Sequence, residues 1–173
     1  MTVRALVLDA STAILLAKIG LLREVVAEGE VWMPEAAFRE ATAKELDDAR
    51  LIRRLAEEGL LRRATLRAGR GGIAKDFRLD SGEAETIALA REKNAIAGTD
   101  DGPAIRCLKV LGLPFTSAIA LLAAMAEGGR VPPDLAFELL AKLERSGRYD
   151  RRILEDVARR IREAGAGEGG GRR

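Results

Sequence analysis

Two hydrophobic patterns alternate along this chain. One is a short unbroken apolar run rich in β-branched residues. The other is a longer segment whose apolar residues recur every three or four positions. Val3–Leu8 is of the first kind and reads as a buried strand of a parallel sheet, with Asp9 at its carboxyl end. Ser11 or Thr12 can cap the helix that follows, Ala13 to about Leu22. Val31–Met33 reads as a short strand, and Pro34 stands where a first helical residue is favoured, leading into a helix over Glu35–Ala43. A second helical stretch covers Lys44–Glu58, with Leu46, Leu51, Ile52 and Leu55 inward and Gly59 closing it. Leu61–Leu66 reads as a third strand. The Gly- and Arg-rich stretch Arg67–Arg78 has no periodicity and reads as a mobile loop.

Asp80 or Ser81 then starts a helix through about Lys93, with Ala84, Ile87, Ala88 and Arg91 on one stripe. Ala95–Ala97 is a short strand that ends at Gly98-Thr99-Asp100-Asp101. Pro103 begins a helix that Gly112 ends, Leu113–Thr116 is the last strand, and Ala118–Glu127 is a helix. Two more helices follow, about Asp134–Arg145 and Arg151–Ala164. Strands alternating with helices predict an α/β fold with a central parallel sheet and right-handed crossovers. The expected organisation is one domain over 1–164, its last two helices falling at about 134–164, and a disordered Gly/Arg tail over 165–173. Parallel sheets gather ligands at the carboxyl ends of their strands, so the acids at those ends are the first candidates for chemistry.

Composition narrows that chemistry. The chain of 173 residues contains no histidine and one cysteine, Cys107. Histidine-dependent nucleophile systems are excluded, as is a four-ligand zinc site of nitrogen and sulfur donors. Carboxylates and hydroxyls suit hard cations such as Mg²⁺ or Mn²⁺. The single cysteine fits a reducing compartment, no run is long enough to span a bilayer, and the start does not read as a signal peptide, so the expected location is the cytoplasm. Net charge is +2 overall, but the segment from Ser146 onward carries +3 and the rest −1. Such a tail is either a solvated helix face or a contact for RNA or an acidic partner.

Each candidate acid has an ordinary alternative. Asp9 could be a helix cap. Glu40, with Ala36, Ala37 and Ala43 around it, reads as a carboxylate facing inward over a narrow space, or as a surface residue of an Ala-rich helix. Glu83 and Glu85 lie about 200° apart on their helix, so they cannot share one site. Glu85 is expected to face solvent. Asp80-x-x-Glu83 is also the pattern of a capping box. Asp100 and Asp101 precede a helix, whose dipole explains one acid better than two. Together these positions place carboxylates where a parallel sheet would gather them, and clustered like charges invite a divalent cation. Such an ion polarises a phosphate oxygen and lowers the pKa of a bound water.

The order LVLDAST, PEAAFREA, LDSGEAETIALA and GTDDGPAIRCLKVLGLP resembles the PIN-domain nucleases, closest to the VapC-like toxin branch, over roughly residues 3–125. The C-terminal LAKLERSGRYDRRILEDVARRI is similar to that branch as well. The resemblance implies a three-layer α/β/α sandwich and Mg²⁺- or Mn²⁺-dependent endoribonuclease activity. It also implies RNA as substrate, an antitoxin protein as partner and a homodimer. It assigns metal ligation to Asp9, Glu40, Glu83, Asp100 and Asp101. Ser11 would position Asp9 or a water on the metal, and Thr99 would support the site. Glu83 stands where many members have Asp. A catalytically impaired PIN-fold interaction protein is the alternative. LVLDAST and GTDD also resemble the layout of HAD-like phosphohydrolases, but that chemistry needs an acid where Ser11 stands, and a lysine that does not stand out.

Overall fold

The structure, a computed structural model, describes residues 5–66 and 76–168. By contact density the chain divides into two compact units, Met1–Ala118 and Ile119–Arg173.

The first unit is built on five strands: β1 (Leu6–Leu8), β2 (Val31–Pro34), β3 (Leu61–Ala64), β4 (Ile96–Gly98) and β5 (Phe115–Thr116). They form one parallel sheet in the order β3-β2-β1-β4-β5. Parallel neighbours require crossovers, and helices supply them. They are α1 (Ala10–Ile19), α2 (Leu22–Ala27), α3 (Glu35–Ala41), α4 (Asp47–Glu57), α5 (Ser81–Glu92) and α6 (Gly102–Leu111). Val7 points into a core of Ile87, Leu89 and Ala90 from α5, Ala97 from β4, and Ala104, Cys107 and Leu108 from α6. Leu6 and Leu8 alternate to the opposite face and are buried there too. Both faces are therefore covered, as in a three-layer α/β/α sandwich, and this explains why β1 reads as continuously apolar.

The chain order matters for the site. The chain moves outward from β1 through β2 to β3, then returns to the other side of β1 for β4 and β5. The order reverses between β1 and β4, which opens a crevice at the carboxyl ends of those two strands.

The second unit holds α7 (Ala118–Glu127, which begins at the last residue of the first unit), α8 (Pro133–Ser146) and α9 (Arg151–Glu168). α8 and α9 pack together, and Leu143, Val157 and Ile161 are buried. Arg160 binds Glu127 through two hydrogen bonds of 2.7 Å. Among the described residues no helix is long and apolar enough to cross a membrane.

Several local expectations change. α1 begins at Ala10 because Asp9 itself is the N-cap. Its carboxylate accepts the Thr12 N–H, so neither Ser11 nor Thr12 plays that role. Pro34 ends β2 and precedes the first turn of α3. Leu46 is 51% exposed, because it lies in extended conformation before α4 and outside that helix's apolar stripe of Ala49, Ile52 and Leu55. α9 runs to Glu168, past the boundary expected at 164. The loop expected at Arg67–Arg78 lies, up to residue 75, outside the described residues.

Candidate active site

The register of β1 against β4 pairs Leu8 with Gly98, so the next positions, Asp9 and Thr99, leave the sheet side by side. The Asp9 N–H donates to the Gly98 carbonyl at 2.9 Å. Gly98 is required for this approach: a Cβ there would lie 2.6 Å from Leu8 Cδ2. Asp9 is almost fully buried at 2% exposure. Its Oδ1 accepts from Thr12 N at 2.8 Å and Ser11 Oγ at 3.0 Å. Burial pushes its pKa up from 3.8 to about 6, and hydrogen bonds from the Thr99 hydroxyl, the Thr12 N–H and the Ser11 hydroxyl pull against that rise.

The two late aspartates diverge. Asp100 Oδ2 accepts from Thr12 Oγ1 at 2.7 Å and from Ala118 N at 3.0 Å. Thr12 therefore bridges the strand ends, its N–H on Asp9 and its hydroxyl on Asp100. Asp101 caps α6 by accepting the Ala104 N–H at 2.9 Å, and its own N–H donates to Thr99 Oγ1 at 3.1 Å. Asp101 serves the start of α6, while Asp100 ties the end of β4 to Thr12 of α1 and to the Ala118 N–H, so the dipole of one helix does not account for the pair.

The glutamates arrive from α3 and α5, which pack closely. Gly82 permits this contact: a Cβ there would lie 3.0 Å from Glu40 Oε2 and 3.4 Å from Ala37 Cα. Glu40 sits at the exposed lip of the crevice and is not buried over a narrow space as expected, because α3 turns its alanines Ala36 and Ala37 inward. Partial desolvation, then the Asp80 carboxylate, raise its pKa. Glu83 completes a capping box with Asp80: Glu83 N donates to Asp80 Oδ1 at 2.8 Å and Asp80 N to Glu83 Oε2 at 3.0 Å. Desolvation is the largest cause that lifts Glu83 from 4.5 to about 7. The Asp80 N–H opposes it, and the carboxylates of Asp80, Asp101 and Asp9 add to it. Glu83 thus feels acids from both strand ends.

Glu85 does not face solvent. It is 8% exposed and accepts the Ala36 N–H at 3.2 Å. The two glutamates of α5 do point apart, but the second points into the α3 contact.

One small cleft of ≈ 20 Å³ is lined by Asp9, Ala10, Ser11, Glu40, Asp80 and Glu83. That space accommodates about one water or one bare ion. Of the sequence-level candidates, Asp9, Ser11, Glu40 and Glu83 line it. Asp100 and Asp101 do not; Asp100 is linked to it through Thr12, and Asp101 through the Thr99 hydroxyl and through its charge on Glu83. Asp80 was not a candidate; its place in the capping pattern explained it too well.

The donor set is oxygen throughout, with neighbouring carboxylates that raise the pKa of Glu40 and Glu83, and this fits a hard divalent cation. Among the described residues, however, no three acids converge closely enough to hold one ion as they stand. Glu83 is folded onto its own helix start, and Asp100 and Asp101 are committed to backbone N–H groups.

A family model described as a PIN domain matches residues 5–163. No curated protein and no solved structure matches the chain.

Proposed function

Because the chain belongs to the PIN-domain family, whose members are generally nucleases, we propose that it is an Mg²⁺- or Mn²⁺-dependent endoribonuclease of the VapC-like toxin branch. It would hydrolyse RNA phosphodiester bonds in the cytoplasm, as a homodimer paired with an antitoxin protein. The observation that carries the metal-dependent reading is the cleft itself, which Asp9, Glu40, Asp80 and Glu83 line beside Ser11 at the switch point of a parallel sheet.

In this reading Asp9, Glu40 and Glu83 would hold the ion, with Asp100 and Asp101 beside them. A bound Mg²⁺ or Mn²⁺ supplies Lewis acidity to a phosphoryl oxygen and acidifies water. The chain's own residues do the rest. Ser11 and the Thr12 N–H fix the Asp9 carboxylate. Thr12 holds Asp100 at a set distance from it. In the metal-free cleft desolvation and neighbouring acids raise Glu83 to about 7, so it would release a proton as the ion binds. Arginines from 67–78 and the C-terminal segment would contact phosphates, so binding should weaken steeply with salt.

The test is cleavage of varied single-stranded RNA pools with Mn²⁺. Activity should vanish in excess EDTA and in the combined Asp9→Asn, Asp100→Asn variant, while RNA binding survives EDTA. Cleavage that persists under either condition overturns the metal mechanism. A second reading, a PIN-fold interaction protein with an impaired site, is favoured by the committed hydrogen bonds of Glu83, Asp100 and Asp101. Absence of cleavage in every pool would select it.

A further inference from the structure

We infer that Glu85 is a positioning residue: it locks α3 against α5 and so sets Glu40 at the cleft. This rests on the nuclease reading above and assigns a role to a carboxylate that the reading leaves unused.

The geometry is reciprocal. Near the start of α5, Gly82 receives the Glu40 carboxylate from the far end of α3. One turn later on α5, Glu85 accepts the N–H of Ala36, from the first turn of α3. The helices therefore meet at two points a helical turn apart on α5. A first-turn N–H has no partner within its own helix, so a side chain that accepts it fixes the helix start. α3 has only seven residues, which is too short to hold its position by its own hydrogen bonds. Its placement must come from packing and from this bond. Glu40 sits four residues after Ala36, so a slip or rotation at Ala36 moves the Glu40 carboxylate directly. Surroundings support the assignment. Ala36 and Ala37 are buried, and small residues let the backbones of α3 and α5 approach closely enough for this bond.

A glutamate is an expensive way to fill a buried position on α5. Ala84, Ile87 and Ala90 on the same helix fill theirs with apolar groups. Only an acceptor can satisfy the Ala36 N–H, and only a long arm on this turn of α5 reaches it.

The test compares wild type, Glu85→Gln and Glu85→Ala, each alone and in a Glu40→Gln background. Two readouts are followed: Mn²⁺-dependent RNA cleavage, and amide hydrogen exchange of residues 35–41. Glutamine keeps an acceptor at the same reach, so Glu85→Gln should retain slow exchange at Ala36 and near-normal cleavage. Glu85→Ala should exchange faster across α3 while the sheet stays protected. It should need more Mn²⁺ or cleave more slowly by about 10- to 100-fold, the usual effect of removing a residue that orients a ligand. With Glu40 already changed to Gln, Glu85→Ala should cost little more, because the two act as one unit. Equal losses in both backgrounds, or unchanged exchange at Ala36, overturn the positioning role while leaving the nuclease reading intact. Global loss of protection in Glu85→Ala with Glu85→Gln inactive would overturn it too. An inactive wild-type chain would instead sink the nuclease reading itself, and the exchange data alone would then report whether the lock exists.

Discussion

The carboxylate of Glu40 occupies the space that a methyl group on Gly82 would need, 3.0 Å from Oε2 to the position of the missing Cβ. Stability and activity should therefore part in Gly82→Ala. Alanine is better than glycine inside a helix by roughly 0.5–1 kcal/mol. The atom it meets is the end of a flexible, exposed side chain, so the clash is cheap to relieve. Relief displaces Glu40, and displacements of about 1 Å at a reacting centre can cost on the order of 100-fold in rate. The expected outcome is an unfolding midpoint equal to or above that of wild type, with cleavage lowered by at least about tenfold. Normal cleavage in this variant would remove Glu40 from the site.

The metal-free protein should weaken as pH rises through mild acidity. Asp9 rises from 3.8 unfolded to about 6 folded, and Glu83 from 4.5 to about 7. Both folded values lie above the unfolded ones, so the native chain holds more protons across this window. Its stability from these groups is complete below the unfolded values and is lost as pH passes the folded ones. Denaturation midpoints in EDTA should fall between about pH 4 and 7 beyond what the rest of the chain contributes. Asp9→Asn should flatten the part of the slope below pH 6, and saturating Mn²⁺ should lift the neutral-pH midpoint, because a ligand of the native state stabilises it. Identical pH profiles for wild type and Asp9→Asn would show that the Asp9 charge carries no such cost.

Glu83 has two separable jobs, and substitutions can split them. Glutamine also completes a capping box. Glu83→Gln should unfold at or above the wild-type midpoint at neutral pH without metal, because it keeps the cap and removes the desolvated charge, yet lose most metal-dependent cleavage. Glu83→Ala should lose the cap as well, at a cost of about 0.5–1.5 kcal/mol. Glu85→Gln should stay active beside it. If Glu83→Gln cleaves RNA normally, Glu83 is a cap and nothing else.

Gly98→Ala should destabilise by about 1–3 kcal/mol, since its Cβ collides with a buried Leu8 that cannot move freely. Leu8→Val removes the colliding atom. The double variant should then be more stable than the sum of the single losses predicts, as expected for residues in contact. Strict additivity in urea unfolding would mean that β1 and β4 separate without strain.

The sequence displays local rules well and helix-to-helix facing poorly. The strands β1, β2 and β4 and the start of α5 follow from apolar runs and from Asp80 as a cap, both of which are short-range signals. Asp9 stands out because it ends an apolar run. Glu85 was misplaced because its stripe partners say which side of α5 is apolar, while its burial depends on α3, which is more than forty residues earlier in the chain. Leu46 fits a helical phase on paper, but α4 starts one residue later. Asp80 does not read as a cleft residue because its capping role exhausts what its neighbours reveal. Thr12 could be read as a cap, but its bond to Asp100 spans 88 positions and depends on the β1–β4 register.

Three of the acids in and beside the cleft, Asp9, Asp80 and Asp101, are also N-caps of α1, α5 and α6. An alanine scan would therefore mislead. Each truncation would fray a helix as it deletes a charge, and lost turnover could not be told from lost folded protein. Amide replacements are the informative ones. Asparagine caps a helix about as well as aspartate does, so it leaves the scaffold standing while it removes the ionisable oxygen. A scan with Asn and Gln would then sort the acids by chemistry alone. Any position where the amide is silent and alanine is not belongs to the architecture.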